Sequence, residues 1–139
     1  MSTADFTLNP TLDKDTVEVA HLDICRVLLM RDKTYPWLIL VPAIVGLRDL
    51  DDLSSPDRTQ VMAEIDLASK AMKAVFQPYK MNVAALGNVV EQLHIHVIAR
   101  FQTDPAWPAP VWGAHPAQDY DDAQRRKTLT QIRGALDVK

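Results

Sequence analysis

The sequence predicts an α+β fold in a single domain over residues 1–139. Two apolar runs rich in β-branched and aromatic residues, 24–30 and 37–41, are separated by a short polar stretch and indicate a β-hairpin. A capped helix follows them, and a second pair of β-prone segments ends at Arg100. A final amphipathic pattern over residues 119–138 predicts a C-terminal helix. One face of that helix carries Leu129, Ile132 and Leu136.

Composition and charge exclude several classes of protein. A chain of 139 residues can bury a core without help from metals or disulfides, and its single cysteine, Cys25, leaves no intrachain disulfide to form. No apolar run approaches the roughly 20 residues of a membrane span, and residues 1–9 lack the features of a secretion signal, so a cytoplasmic protein is expected. The net charge is −3 with scattered basic residues, which argues against a nucleic-acid polymer as partner and is compatible with a small anionic ligand, since such a ligand needs only a few local donors.

The long helix has the clearest local signals. Ser55 is predicted as the N-cap, Pro56 as the first helical residue and Asp57 as an acidic complement to the helix dipole, while Pro78 ends the helix. The predicted buried stripe is Val61, Ile65, Ala68, Met72 and Val75. The residues predicted to face outward are Glu64, Lys70 and Lys73.

Two segments lack regular periodicity. Residues 1–20 are predicted to be an irregular lead-in, with a short turn of helix around residues 9–14. Residues 101–118 are rich in proline and include Trp107 and Trp112. Proline lowers the entropy cost of ordering a chain and tryptophan brings a large apolar area, so this segment is expected to wrap its own sheet or a partner subunit.

The second hairpin contains the candidate site. Residues 79–85 are predicted to form its first strand, and residues 86–88, with the flexible Gly87, a tight turn into the next. In the strand that ends at residue 100, polar and apolar residues alternate with period two. Gln92, His94 and His96 therefore share one face, each about 7 Å from the next at a rise of roughly 3.3 Å per residue.

Three interpretations of this histidine pair follow from the residues alone. The rings could be satisfied structural histidines, metal ligands, or groups for phosphate and acid–base chemistry. A zinc site needs a third protein ligand converging on His94 and His96, and Gln92 is a poor one. Phosphate chemistry needs a neutral imidazole as nucleophile and a neighbouring hydrogen-bond donor. Gly-rich phosphate loops and the Gly-x-Ser-x-Gly motif are absent from the sequence.

The segment Gln92–Arg100 resembles the histidine triad (HIT) motif, His-φ-His-φ-His-φ-φ followed by a pair ending in arginine. The resemblance extends upstream to about Cys25, through the Val41-Pro42 pair, the Asp-Leu connector and the capped helix. The downstream segment 104–113 looks like that of a bacterial branch in which glutamine replaces the first histidine.

The resemblance implies a fold and an activity. HIT proteins have an antiparallel sheet of about five strands with one long helix packed on it and a C-terminal helix, and they are normally homodimers. They hydrolyse or transfer nucleoside monophosphates from dinucleoside polyphosphates, phosphoramidates or related esters through a nucleotidyl-histidine intermediate. No cofactor and no metal are expected.

The resemblance also implies residue roles. His94 matches the nucleophile, His96 matches the donor to phosphate or to the leaving oxygen, and Gln92 takes the first histidine position of the catalytic motif. Family members orient the nucleophile through the backbone carbonyl of that first residue, which a side-chain change does not remove. The expected substrate-binding residues are Asp32 at the ribose hydroxyls, together with Asn82, Gly87, Asn88 and Arg100.

Two further departures separate this chain from many family members. Ile44-Val45-Gly46 stands where many carry another histidine, and Val89 replaces a serine or threonine hydroxyl. These departures leave two alternatives to a hydrolase or transferase. One is a nucleotide-binding module with weak or no catalysis, and the other is a metal-binding protein that uses His94 and His96.

Overall fold

The computed structural model describes residues 5–137, so residues 1–4 of the predicted lead-in and Val138 of the predicted C-terminal helix lie outside it. The elements in chain order are α1 (Pro10–Asp15), β1 (Thr16–His21), β2 (Cys25–Met30), β3 (Trp37–Pro42), a 3-10 turn (Leu50–Asp52), α2 (Ser55–Phe76), β4 (Lys80–Ala84), β5 (Ile95–Arg100) and α3 (Asp122–Leu136). None of the helices described has both the length and the hydropathy that a membrane crossing requires.

The strands form one antiparallel sheet in the order β1-β2-β3-β5-β4. This confirms the α+β class, the five-stranded sheet and the first hairpin. The prediction of an irregular lead-in is wrong for residues 16–20, because residues 16–21 form β1 and pair with β2. The short helix predicted there is confirmed as α1, which Asn9 caps by accepting a hydrogen bond from the Thr11 N–H. The Val17-Glu18-Val19 alternation was too short a signal for a strand that forms mainly because β2 offers its edge.

Helix α2 is confirmed, with its start one residue earlier than predicted. Ser54 is the N-cap, because its extended backbone lets its hydroxyl accept from the Asp57 N–H at 3.3 Å. Ser55 and Pro56 are the first two helical residues, positions where a missing proline N–H costs nothing. Gln77 ends the helix in a left-handed conformation, and its N–H donates to the Lys73 carbonyl.

The predicted outward orientation of Glu64 is wrong. Its side chain is only 3% exposed, and its carboxylate accepts the backbone N–H of Cys25 at 2.7 Å and that of Ile24 at 3.1 Å. Gln60 donates to the same carboxylate. These N–H groups begin β2 beneath the helix, where a buried donor without an acceptor would be costly. Glu64 therefore joins α2 to the sheet.

The sheet is covered on both faces. On one face α2 and α3 pack against it, and the predicted stripe contributes Val61, Ile65, Ala68 and Met72 to that core. The buried residues on the other face are Leu8, Leu12, Leu28, Tyr35, Trp37, Ile39, Val41, Ile98, Ala106 and Val111. Residues 101–118 thus wrap their own sheet, one of the two expected outcomes. Helix α3 is shorter than predicted, and it begins after the Asp121 cap with Leu129, Ile132 and Leu136 buried.

The second hairpin is confirmed as the antiparallel pair β4 and β5. Its connection is longer than the predicted tight turn and occupies residues 85–94, with Gly87 at a φ of 73°. Because β5 begins at Ile95, Gln92 and His94 lie in the loop just before the strand. The Leu93 N–H donates to the Leu47 carbonyl at 3.0 Å, which fixes the end of this loop beside the segment that follows β3.

Candidate active site

His94, which immediately precedes β5, and His96, the second residue of β5, lie side by side. Their ring centroids are 5.0 Å apart, and each side chain is 6% exposed. Ile95 between them points into the helix-covered core, so the pleat of the strand carries both imidazoles to the opposite face. The sequence pattern predicted this shared orientation of the two rings.

The hydrogen bond of His94 defines its tautomer. Its Nδ1 lies 2.7 Å from the backbone carbonyl oxygen of Gln92, which can only accept a hydrogen bond. In neutral His94 the proton is therefore on Nδ1, and Nε2 carries the lone pair. An imidazole held in this form presents a nucleophilic nitrogen away from its backbone anchor.

His96 is held in the opposite form. The indole N–H of Trp37 donates to Nδ1 of His96 at 3.0 Å, and an indole nitrogen can only donate. The proton of neutral His96 is therefore on Nε2. Burial, with a further contribution from neighbouring His94, lowers the pKa of His96 to about 4. When both rings are neutral, the pair thus offers one ring nitrogen with a lone pair and one ring N–H donor.

Two tryptophans enclose His96. The ring of Trp112 meets that of His96 edge-on at 5.0 Å, and the ring of Trp37 lies 5.7 Å from it. Trp112 remains 38% exposed, so it forms the outer wall of the site. Sequence analysis did not assign either residue to the site, because the hairpin pattern gives no cross-strand register and Trp112 is 16 positions from His96.

Gln92 is not the third member of a row with the two histidines. Its side-chain Oε1 accepts from the Asn9 N–H at 2.9 Å, and its Nε2 donates to the Thr7 carbonyl at 2.9 Å. The amide is thus used by the backbone of the N-terminal segment. Only the main-chain carbonyl of Gln92 contacts the histidine pair.

A cleft of about 120 Å³ adjoins His94. His94, Gly87 and Arg48 line it together, which brings the predicted Gly87 to the same cleft as His94 and adds Arg48, a residue that sequence analysis missed. Arg48 is well exposed and forms a long contact of 3.4 Å with Glu91. Asn88 is exposed in the same loop.

Arg100 and Asn82 contact each other rather than the histidines. Arg100 is 1% exposed, and its guanidinium donates to Asn82 Oδ1, to both carboxylate oxygens of Asp104 and to the Ala109 carbonyl. Burial alone would raise the pKa of Asp104, but hydrogen bonds from Arg100 and from backbone N–H groups hold it below the ordinary value. This network holds Asp104 and Ala109, which precede Trp112 in the chain. Arg100 and Asn82 therefore support the site indirectly, through the segment that carries Trp112.

Asp32 also has structural partners. It is 5% exposed, and its Oδ1 accepts from the backbone N–H groups of Thr34 and Gln118. These bonds join the β2–β3 loop to the segment before α3. Within residues 5–137, no group of three or more His, Cys, Asp or Glu side chains is arranged to hold a metal ion.

Comparisons with known proteins show similarity along most of the chain. The family model of the HIT domain matches residues 11–103. A histidine triad protein from Marinobacter aquaeolei VT8 is 42% identical, with a TM-score of 0.93 over 95% of this chain and 96% of its own. One from Sinorhizobium meliloti 1021 is 36% identical, with a TM-score of 0.94 over 96% and 99%.

A third similar structure is a histidine triad protein from Bradyrhizobium japonicum, which is 37% identical with a TM-score of 0.92 over 94% of this chain and 98% of its own. A search of curated proteins finds no significant match. The family model covers more than half of the chain, and relatives above 30% identity align over nearly all of it. The chain therefore belongs to the histidine triad (HIT) family.

Proposed function

We propose that the protein is a nucleotide hydrolase or nucleotidyl transferase that acts on the α-phosphate of a nucleotide ester, phosphoramidate or dinucleoside polyphosphate. The observation that carries this proposal is the complementary pair of tautomers. His94 offers an Nε2 lone pair because Nδ1 donates to Gln92, and His96 offers an Nε2–H because Nδ1 accepts from Trp37. A nucleophile and a donor to an oxyanion are the two groups that phosphoryl transfer through histidine needs.

The reaction proceeds in two displacements. Nε2 of His94 attacks the α-phosphorus, a P–N bond forms, and the bond to the leaving group breaks with its electron pair on the leaving atom. The Nε2–H of His96 donates a hydrogen bond to an oxygen that gains charge. Water then attacks phosphorus, the P–N bond breaks with its electron pair returning to Nε2 of His94, and a proton from that water is released to solvent. In the transferase reaction another nucleophile replaces water.

The side chain of Gln92 has no part in these steps. Both its polar atoms are bonded to the N-terminal segment, and an amide does not donate a proton near neutral pH. The leaving group therefore receives no proton from the side chain of residue 92. We expect a preference for leaving groups that are stable as anions, such as a phosphate or a phenolate, over simple alcohols.

The test uses AMP p-nitrophenyl ester as substrate. Acid quench followed by mass spectrometry should detect an adenylyl group on His94, and His94→Gln should lower kcat/KM by at least about 10³-fold, as losing a covalent nucleophile does. The matched control is His115→Gln, because His115 is exposed, lies against the Pro105 carbonyl and should keep the wild-type rate. Turnover by His94→Gln at the wild-type rate would reject the proposal.

A second candidate is a nucleotide-binding module with weak or no catalysis. The bonding of the Gln92 amide to residues 7 and 9 favours it, since the first motif position supplies no acid. Calorimetry with AMP beside a turnover assay separates the two candidates. Micromolar binding with no product after long incubation supports the module, and product formation supports the enzyme.

The metal-binding alternative needs a third ligand, and no third His, Cys, Asp or Glu joins His94 and His96 in the part of the chain that the structure describes. A metal analysis of the purified protein tests it directly. About one zinc per chain that survives dialysis against a chelator would revive this alternative.

We also propose that the protein is a homodimer. Strand β4 is at the edge of the sheet, and Val83, Leu86 and Val89 beside that edge are 47%, 48% and 92% exposed. An edge strand flanked by exposed apolar residues is a surface that a second copy can cover. Sedimentation should give a dimer, and Val83→Lys should shift it toward monomer while Met62→Lys, on the exposed side of α2, should not. A monomeric wild-type protein would refute this.

A cytoplasmic location stays a prediction from the sequence.

A further inference from the structure

We infer that the side chain of Gln92 is a positioning residue, which anchors backbone residues 7–9 beside the histidine pair and so holds the carbonyl that orients His94. Three observations support this inference: the two hydrogen bonds of the amide, the packing of the anchored segment, and the position of Gln92 between that segment and His94.

The amide of Gln92 binds the N-terminal segment as a neighbouring strand would. In an extended chain the C=O of one residue and the N–H of the second residue after it point to the same side. Thr7 and Asn9 present this pair, and Gln92 meets it with Nε2–H and Oε1, both at 2.9 Å. The contacts join positions 85 and 83 residues apart in the sequence. Contacts between residues this far apart in the sequence form only when the chain folds.

A histidine cannot make this pair of bonds. A neutral imidazole has one donor and one acceptor, but its two nitrogens point away from each other across a rigid ring. The primary amide places its donor and its acceptor side by side. Glutamine at the first motif position therefore binds residues 7–9 in a way that histidine could not. Its effect on the protein is not limited to the loss of a proton donor at that position.

The anchored segment lies on the face of the sheet that carries the site. Leu8, between the two anchored residues, is 8% exposed and packs in the same apolar cluster as Trp37 and Ile39. Leu12 on α1 belongs to that cluster as well. Residues 7–9 are thus held by an apolar contact on one side and by the Gln92 amide on the other.

The anchor acts on catalysis through the Gln92 main chain. The side chain fixes residue 92 to the N-terminal segment. The peptide group that contains the Gln92 carbonyl is held on its other side, because the Leu93 N–H donates to the Leu47 carbonyl. Residue 92 therefore cannot rotate freely, and its carbonyl stays aligned with Nδ1 of His94. Without the anchor we expect the loop to sample orientations in which this bond is broken and both tautomers of His94 are populated.

The experiment measures two quantities by ¹⁵N NMR on the full chain: hydrogen exchange of the Asn9 amide and the tautomer ratio of His94. Gln92→Met keeps the length of the side chain and removes both bonds. We expect its Asn9 amide to exchange about tenfold faster, as loss of one or two hydrogen bonds predicts. We also expect the Nε2–H tautomer of His94 to become detectable. Gln92→Glu keeps the acceptor for Asn9 but sets a carboxylate oxygen against the Thr7 carbonyl, so it should loosen the anchor as well.

A matched pair of variants at Asn9 approaches the same contact from the other side. Asn9→Pro removes the N–H donor at a residue whose φ of −52° suits proline, and it should shift the His94 tautomers as Gln92→Met does. Asn9→Ala loses the α1 cap but keeps the N–H, and it should leave the tautomers unchanged. A double variant of Gln92→Met with Asn9→Pro should add little to either one.

Unchanged Asn9 exchange in Gln92→Met would overturn the anchor. Unchanged His94 tautomers in both Gln92→Met and Asn9→Pro would overturn the positioning role. The benefit to catalysis rests on the proposed nucleophilic role of His94, whereas exchange and tautomer ratio do not depend on turnover. A protein with no activity but with these NMR changes would reject the proposed function and keep this inference.

Discussion

The indole nitrogen of Trp37 donates to Nδ1 of His96 across neighbouring strands, at a distance of 3.0 Å. Trp37 begins β3 and His96 is the second residue of β5, and the antiparallel register pairs Trp37 with Ile98. The bond therefore runs diagonally over the sheet, a reach that only a long aromatic side chain has. It determines which nitrogen of His96 can face a substrate.

Replacing Trp37 with phenylalanine tests the importance of this bond. Trp37→Phe keeps an aromatic ring and removes the N–H, so both tautomers of neutral His96 become accessible. We expect ¹⁵N NMR to show a mixture of the two, and kcat/KM to fall about tenfold, the effect of losing one hydrogen bond of roughly 1.4 kcal/mol. Trp112→Phe is the control, since Trp112 contacts His96 only through its ring edge and should leave the tautomer unchanged. A single His96 tautomer in Trp37→Phe would contradict this explanation.

The lowered pKa of His96 predicts how stability depends on pH. An unfolded histidine titrates near 6.5 and folded His96 near 4, so between these values the unfolded chain binds more protons than the native one. Native stability therefore falls as the pH falls through this window. From pH 7.5 to pH 5 the expected loss is about 2 kcal/mol.

Urea denaturation at a series of pH values measures this dependence. His96→Asn should lack the contribution and show a flatter curve over the same range. Equal slopes for wild type and His96→Asn would show that His96 is not buried in its neutral form.

Removing one partner of the buried Arg100–Asp104 pair should destabilise the fold strongly. Arg100→Met leaves the Asp104 carboxylate 5% exposed without its guanidinium partner, and we expect the free energy of unfolding to fall by about 3 kcal/mol. Arg48→Met breaks an exposed contact with Glu91 and should cost less than about 1 kcal/mol. Chemical denaturation compares the two variants. Intrinsic tryptophan fluorescence should also change in Arg100→Met, because the guanidinium lies over the Trp107 ring. Equal costs for the two variants would refute this ranking.

The hydrogen bonds of Glu64 lead to a prediction about the interface between α2 and the sheet. Glu64→Gln replaces one of the two carboxylate oxygens by an amide NH₂ group. That group would face the backbone N–H of Ile24 or of Cys25, so two donors would meet in a buried place. We expect a loss of about 2 kcal/mol in the free energy of unfolding. Asp66→Asn on the exposed face of the same helix breaks only a surface pair with Lys70 and should change stability by under about 0.5 kcal/mol. Denaturation midpoints that match between the two variants would contradict the capping role of Glu64.

Local patterns in the sequence were sufficient for the main elements and for the histidine pair. Both hairpins, the α2 stripe and the shared face of His94 and His96 depend on periodicity and on near neighbours, which a linear sequence contains. The motif also led to the correct family. The predictions failed where a partner was distant in sequence: β1 forms on the edge of β2, and Glu64 is buried because β2 begins beneath it.

Sequence alone determined which chemical groups this protein has: two imidazoles two residues apart on a strand, a glutamine before them, and a tryptophan-rich segment after them. Tertiary structure decided what each group does. Trp37 sets the protonated nitrogen of His96, the Gln92 carbonyl sets that of His94, and the Gln92 amide binds residues 7–9. The physical reason is that a hydrogen bond selects a tautomer only when its partner is at the correct distance and angle, and only the folded chain brings these partners together.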